Sequence, residues 1–597
     1  MPQYQAPLRE IRYVMHEVLG ASTHYRGLGR EDVNQELIDS VLDECARFAE
    51  NVIAPTNEAG DRIGVRREPD GRVITPPGFA DAYRQYVADG WASLCGPTEA
   101  GGQGLPESLG GPVGEMFVSA NMSWKLYSGL TDSAVLCVAR HASDELRSRY
   151  LPKLVSGVWS GTMVLTEPHA GTDLGLMRTR AEPAADGSYR VTGTKIFITS
   201  GEHDLTENIV HMVLAKLPDA PSGSHGISMF LVPKLLPDAS GAPAAANGVS
   251  CASVEHKLGI HGSATCVMNF DGAQGWLIGE INGGLKCMFT MMNHARLWVG
   301  LQGLAQCEGA WQLALAYARD RRQGRTSEGG EAAGADPIIG HPDVRRMLLT
   351  QKALIEGGRV LNYFAGMQMD YALHHPDGAA RERAEGLLAI LTPVVKGFLT
   401  GMSLECTSLA LQVHGGHGYV RETGVEQFFR DARITAIYEG TNGVQAQDLL
   451  GRKVLGTGGA LARALGGEIG GFCERHAGSV ELAEFVTRLT GLLKEWSEAT
   501  ESIADRAARN PDETGAAAQD YLEFTGYLCL AWCWARMAAV SSAALRKGGE
   551  GADFHRAKLA TARFYFQRIL PRAEANLDAL SAGAATLMSL PADQFAF

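Results

Sequence analysis

No C-x-x-C pair occurs among the eleven cysteines, which are scattered singly through the 597 residues. That spacing argues against a zinc ribbon, a redox dithiol and a disulfide framework, and it predicts reduced core thiols in a cytoplasmic protein. H-E-x-x-H is missing, and His414 and His417 in a glycine-rich turn supply too few ligands, so no metal is expected. No G-x-G-x-x-G follows an expected strand and no G-x-x-x-x-G-K-[ST] is present, which leaves neither a Rossmann site nor a P-loop. Residues Met1 to Gly20 lack the apolar core of a secretory signal. The most apolar stretch, Tyr527 to Leu545, is broken by Arg536 and rich in small residues, so a buried helix is expected there and no integral membrane segment. Positive charge is also in deficit. The 54 basic against 67 acidic residues leave a formal charge of −13, which argues against nucleic acid or an anionic membrane as a general partner.

What is present is size and apolar content. At 45% hydrophobic residues the chain can bury a large core, and its length predicts several domains. Val33, Leu37, Val41, Leu42, Cys45, Phe48 and Val52 recur at helical steps, and helix-like text continues to about Ser160. The runs Thr162–Thr166, Tyr189–Val191, Ile196–Thr199, Ile209–Leu214, Ile227–Val232 and Thr265–Phe270 then predict a small antiparallel β domain. Helical periodicity returns after about Gly283, with a polar loop at 323–336. The glycine-rich stretch Gly456 to Gly467 reads as a linker, and the stripe Leu482 to Trp496 as the core face of an appended helical domain. The expected fold is mainly α with a central β domain, divided as 1–161, 162–282, 283–455 and 456–597.

One carboxylate stands out. In Ala436-Ile-Tyr-Glu-Gly-Thr-Asn442, Glu439 falls between a β-prone run and a helix start. A Glu placed so can lie in an apolar pocket, where lost hydration makes it a stronger base. The segments Met163-Val-Leu-Thr-Glu-Pro-His-Ala-Gly-Thr-Asp173 and Lys195-Ile-Phe-Ile-Thr-Ser-Gly201 each end a strand in a turn that offers backbone N–H groups and small hydroxyls to a ligand.

Together with R-R-Q-G-R at Arg321 to Arg325, Q-V-H-G-G-H-G-Y at Gln412 to Tyr419 and R-D-A-R at Arg430 to Arg433, these segments resemble the acyl-CoA dehydrogenase family. The appended domain and the opening Tyr4 to Tyr13 are similar to its large-subunit branch, which includes 3-methylmercaptopropionyl-CoA and some long-chain enzymes. The resemblance implies FAD, acyl-CoA as substrate, Glu439 as the base, and an electron-transfer flavoprotein as electron acceptor. It implies that Met163, Leu165, Thr166, Phe197 and Thr199 border the flavin ring, that Thr172 meets the pyrophosphate and that Gly171 is a further cofactor contact. It further implies that Arg321, Gln412 and Gly416 hold the cofactor of a neighbouring subunit, with Thr441 nearby, so that the protein is a homo-oligomer, expected as a homodimer. Arg296, Tyr438 and Gly440 are the implied substrate contacts, and the helix of Trp124 and Tyr127 can border the acyl tunnel. Two positions depart from the pattern. Met163 stands where an aromatic is frequent, and Gly443 where a Gln or Glu would approach adenine.

Two rival readings differ in function. An alkylation-damage-response flavoprotein of the same fold would bind DNA, against which the acidic balance and the retained I-Y-E-G-T both weigh. A helical interaction protein without cofactor would purify colourless.

Overall fold

The computed structural model describes residues 4–327 and 334–596. The chain forms two compact units, one of residues 45–298 and one that joins 1–44 to 299–597.

The first unit is built on two helices, Glu107–His141 (α1) and Asp144–Val155 (α2), and a seven-stranded sheet. Its strands are Trp159–Val164 (β1), Arg180–Pro183 (β2), Tyr189–Thr199 (β3), Asn208–Lys216 (β4), Ile227–Pro233 (β5), Val249–Val254 (β6) and Thr265–Ile278 (β7). They run in the order β6-β7-β3-β2-β4-β1, with β5 paired to β7 and β4. The two short runs expected at 189–191 and 196–199 are one strand, because the polar residues between them pair with β7 across the ladder, Thr194 opposite Asn269 and Lys195 opposite Met268.

The sheet departs from the expected antiparallel pattern at β1, which pairs parallel with β4 in the register Trp159↔Asn208 to Val164↔Val213. All six β1 residues are buried, the signature of a strand covered on both faces. Helix α1 is interrupted at Asn121, whose φ of −161° and ψ of 100° are not helical. The Asn121 side chain compensates by accepting from the Trp124 N–H at 3.1 Å and donating to Thr56 Oγ1 at 2.9 Å. Trp124 and Tyr127 are core residues: the indole N–H donates to the Phe79 carbonyl, and the phenol bridges the Gly262 carbonyl and the Ala264 N–H.

A 37-residue helix, Gly284–Asp320 (α3), begins in this unit and belongs to the other from 299 onward. The second unit continues with Pro342–His374 (α4), Gly378–His414 (α5), Val425–Arg433 (α6), Asn442–Gln447 (α7), Ala460–His476 (α8), Ala483–Ala507 (α9), Asp512–Lys547 (α10), Ala552–Phe564 (α11) and Arg572–Ala582 (α12). Of the predicted loop at 323–336, residues 328–333 lie outside the described residues. The glycine-rich stretch at 456–467 is helical from Ala460 on, because Gly458 and Gly459 alone, at φ of 58° and 79°, make the turn. Helix α10 nests on α5 where side chains are missing: a Cβ on Gly526 would sit 2.2 Å from the Phe398 ring, and one on Gly397 would sit 2.6 Å from Leu522. Helices α5, extended to Tyr419, and α10 are long and apolar enough to cross a membrane, but 78% and 67% of their most apolar windows are buried in the protein.

The N-terminal segment is held by the C-terminal helices. Tyr13 donates to the Met537 carbonyl at 2.9 Å. Glu10 pairs with Lys558, whose Nζ is also 2.8 Å from Glu356, and Glu356 pairs with Lys352. All eleven cysteines are free thiols.

Candidate active site

Glu439 occupies a turn between helices, and its approach is helical where a β-prone run was expected. Helix α6 tightens into a 3₁₀ turn at Ile434–Ala436, with the Ile437 and Tyr438 N–H groups donating to the Ile434 carbonyl. Among the described residues no strand pairs with Ala436–Tyr438, so the β propensity of Ile437 and Tyr438 is overridden. The chain then reverses through Glu439 at φ of 55° and Gly440 at φ of 90°. A left-handed conformation at a residue with a Cβ costs roughly 1–2 kcal/mol, so surrounding bonds must hold it.

Those bonds come from α7 and α5. The buried Gln445 amide donates to both the Glu439 and the Gly440 carbonyl at 3.3 Å. Among the described residues its Oε1 has no hydrogen-bond partner. Thr441 caps α7 by accepting from the Val444 N–H. Asn442 Oδ1 accepts from the fully buried Lys396 and from Thr400, both at 2.9 Å. Tyr438 donates to Gln302 Oε1; burial pushes its phenol up, and the Glu439 charge adds to that. Sequence reading singled out none of Lys396, Thr400, Asn442 and Gln445, since an Asn and a Gln at the start of a short helix carry no signal of what they face. If Glu439 acts as a base, replacing Gln445 by Leu is expected to lower kcat about 10- to 100-fold with KM little changed, because a carboxylate displaced by a fraction of an ångström loses reach. Steady-state kinetics of the purified holoprotein checks this.

In the 45–298 unit, the expected flavin-facing segments meet at the ends of β1 and β3. The Thr166 carbonyl accepts from the Ile196 N–H at 2.9 Å, and Lys195 donates to the Leu165 carbonyl at 2.9 Å. Lys195 also pairs with Glu167 at 3.0 Å, and Glu167 accepts from the N–H groups of Arg178 and Thr179 and from the Thr179 hydroxyl. Burial raises the Glu167 carboxyl, but Lys195 and these donors outweigh it and hold it below the usual range. Burial pulls the Lys195 ammonium down to about 8 against the attraction of Glu167. The pair fixes the strand end.

Strand β3 bulges against β7, where Ile198 faces Cys266 but Lys195 already faces Met268. The extra residue bends the backbone, and Phe197, at φ of 58°, is turned out with 59% of its surface exposed. Leu165, Thr166 and Thr199 are half-buried beside it, and Gly171 and Thr172 are exposed in the turn that follows. Among the described residues nothing beyond its chain neighbours lies within 4 Å of where a Gly171 Cβ would stand. The Met163 side chain instead belongs to the hydrophobic core. Arg296 is buried on α3, with one guanidinium nitrogen 3.4 Å from Asn293 Oδ1.

In the other unit, Arg321 is exposed at the end of α3 and Gln412 at the end of α5. Tyr317 links these ends, stacking on His414 at 4.4 Å and bonding His417 at 3.1 Å. Among the described residues a Cβ on Gly416 would meet nothing within 4 Å beyond its chain neighbours, and one on Gly443 would meet Thr441 Oγ1 at 3.9 Å. Arg430 pairs with Glu426, and Asp431 accepts from Gln427. Among the described residues no three His, Cys, Asp or Glu groups converge on a metal position.

An outward aromatic on a bulge, small hydroxyls at two strand ends and an open glycine turn fit a planar heterocycle with a phosphate tail. The comparisons with known proteins agree. The acyl-CoA dehydrogenase N-terminal domain matches residues 36–158, the middle domain 162–273 and the C-terminal domain 282–454, followed by an acetyl-CoA dehydrogenase C-terminal-like domain at 465–591. A 3-methylmercaptopropionyl-CoA dehydrogenase of Ruegeria pomeroyi is 44% identical over 95% of this chain and 96% of its own length. A broad-specificity linear acyl-CoA dehydrogenase of Mycobacterium tuberculosis is 33% identical over 96% of both. Among solved structures, an acyl-CoA dehydrogenase complexed with FAD from Bacillus anthracis superposes with a TM-score of 0.75 over 93% of this chain and 89% of that one; at 21% identity it bears on the fold alone. With all four domains present in order and relatives above 30% identity along nearly its whole length, the chain belongs to the acyl-CoA dehydrogenase family of FAD-dependent oxidoreductases.

Proposed function

We propose that the protein removes the α- and β-hydrogens of a short acyl-CoA to give the trans-2-enoyl-CoA, with Glu439 as base. The observation that carries this reading is the Glu439 turn, where a carboxylate on a left-handed backbone is held from behind by Gln445 and by the Lys396–Asn442–Thr400 bonds. In this reading the Glu439 backbone N–H donates to the thioester carbonyl, which acidifies the α-hydrogen, and the carboxylate takes that proton. Tyr438 and Gly440 flank the thioester, and Arg296 lies on the substrate side. Leu165, Thr166, Phe197 and Thr199 would hold the flavin ring, with Gly171 and Thr172 at the pyrophosphate. Met163 would support the ring from the core. Arg321, Gln412, Gly416 and Thr441 would serve the cofactor of a second subunit in a homodimer. Bound FAD supplies the acceptor for the β-hydride. We further propose an electron-transfer flavoprotein as the onward acceptor, the cytoplasm as the compartment, and working divisions of the chain at 161, 282 and 455.

The 44% identical relative supports 3-methylmercaptopropionyl-CoA as the substrate. Anaerobic bleaching of the flavin by a panel of acyl-CoAs tests the assignment. Reduction fastest with 3-(methylthio)propionyl-CoA or a saturated chain of similar length is expected, and no reduction by any member would refute it.

A further inference from the structure

Helix α5 carries two glycines one turn apart, Gly397 and Gly401, and each has α10 on one side and α7 on the other. A Cβ on Gly397 would meet Leu522 at 2.6 Å and Gln445 Cβ at 3.3 Å. A Cβ on Gly401 would lie 3.6 Å from Glu523 Oε1 and 3.8 Å from Asn442 Nδ2. Two consecutive residues of the appended helix thus reach, past α5, the two α7 side chains that hold the Glu439 turn. We propose that Glu523 is a positioning residue for the dehydrogenation, its carboxylate acting on Asn442 across Gly401 to steady the turn that presents Glu439. This rests on the dehydrogenase reading above.

The orientation of the Asn442 amide follows from its partners. An ammonium can only donate, so the atom that meets Lys396 at 2.9 Å is the amide oxygen, and the same oxygen accepts from Thr400 at 2.9 Å. The NH2 group is therefore the end beside Gly401 and Glu523. A donor and an acceptor face each other across a space that glycine leaves open. Asn442 is the first residue of α7, directly after the Thr441 cap, and Gln445 of the same helix donates to the Glu439 and Gly440 carbonyls. A pull on the Asn442 amide acts on the start of this helix, and so on the turn before it.

Glu523 can supply or withdraw that pull near neutral pH. Burial pushes its carboxyl up to about 7, against the Gln519 amide that donates to it at 3.1 Å; Asp520 of its own helix and Glu405 of α5 add to the rise, and Arg572 of α12 opposes it. Arg572 is taken up by Glu405, which it meets with two nitrogens at 2.7 and 2.8 Å. Tyr527, further along α10, is raised by burial and is a neutral phenol in this range. On α5 the nearby cation is Lys396, bound to the far end of the Asn442 amide, and α7 presents that neutral amide itself. As pH rises through 7 the carboxyl becomes a carboxylate and attracts the amide N–H; as pH falls it becomes a neutral acid and the attraction fades.

The test uses the holoprotein and the variants Glu523→Gln, Gly401→Ala and Asn442→Ala, with kcat and KM for a saturated acyl-CoA measured from pH 6 to 8. Gly401→Ala keeps the carboxyl but puts a methyl between the two groups at ordinary contact distances, and alanine suits a helix better than glycine, so this variant folds. For both Glu523→Gln and Gly401→Ala, the ratio of parent to variant kcat is expected to grow about 3- to 10-fold between pH 6 and pH 8, with KM unchanged. Titration of Glu439 is common to all the proteins and cancels in that ratio. In an Asn442→Ala background, adding Glu523→Gln should leave the profile where it is. A ratio that stays constant with pH is what a merely structural role gives, and it would overturn the proposal. If no acyl-CoA reduces the flavin of the parent protein, the dehydrogenase reading fails. Denaturant unfolding of the Glu523→Gln and Asn442→Ala cycle then decides the link: a coupling larger at pH 8 than at pH 6 supports it, and equal couplings reject it.

Discussion

Glu439→Gln is expected to purify yellow, to bind acyl-CoA, and to reduce its flavin at least about 10³-fold more slowly than the parent protein. The amide is nearly isosteric with the carboxylate and has the same Cβ, so it bears the same strain at φ of 55° and leaves the Gln445 bonds to the two turn carbonyls in place. What it loses is the capacity to accept a proton. The backbone N–H at 439 is untouched, so substrate affinity should change little while the chemical step collapses. That pattern identifies a group used in the transition state more than in the ground state. Stopped-flow flavin absorbance at saturating acyl-CoA measures it, and reduction at the parent rate would remove Glu439 from the mechanism. A parallel Gln445→Leu series separates the two roles, since a positioning residue slows the step without abolishing it.

The second large effect concerns stability. Lys558→Met should destabilise the protein by about 3–5 kcal/mol, the usual cost of removing one partner from a buried ion cluster. Lys558 is 1% exposed and lies between Glu10 and Glu356, so its loss leaves a half-buried and a buried carboxylate facing each other with Lys352 as the nearby cation. Adding Glu10→Gln should recover part of the loss, a coupling that denaturant unfolding of the four-member cycle would reveal.

The same cluster sets an acid limit. Burial raises the Glu356 carboxyl, but Lys352 and Lys558 outweigh it and bring it to about 2, below its unfolded value of about 4.3. Its contribution is therefore complete above roughly pH 4.3 and lost as pH falls towards 2. Glu10 opposes this, since burial and the Glu356 charge raise it and it takes up a proton first. The parent protein should lose stability steeply between pH 5 and 2, and the Lys558→Met variant less steeply. Equal slopes would show that the cluster does not govern acid unfolding.

Much of the secondary structure was legible because it depends on local patterning. The stripe from Leu482 to Trp496 is a helix face, with Phe485, Leu489, Leu492 and Trp496 all buried, and the β-branched runs from 162 to 270 are strands of the main sheet. The misreadings share one cause. Ile437 and Tyr438 have strand propensity but no strand to pair with, and the parallel pairing of β1 with β4 is a long-range choice that alternation within one strand does not encode.

By itself the sequence determined the family, the chemistry open to it and the order of its elements, because motif residues, caps and hydrophobic periods act over a few positions. Tertiary structure alone decided that the N-terminal segment around Glu10 and Tyr13 packs with the C-terminal helices, that Gln445 braces the turn of Glu439, and that Trp298 rests on Gly114 under the hold of His294. Each of these joins residues whose partners are chosen by packing and by the need to satisfy buried polar groups, and those demands exist only once the chain has folded.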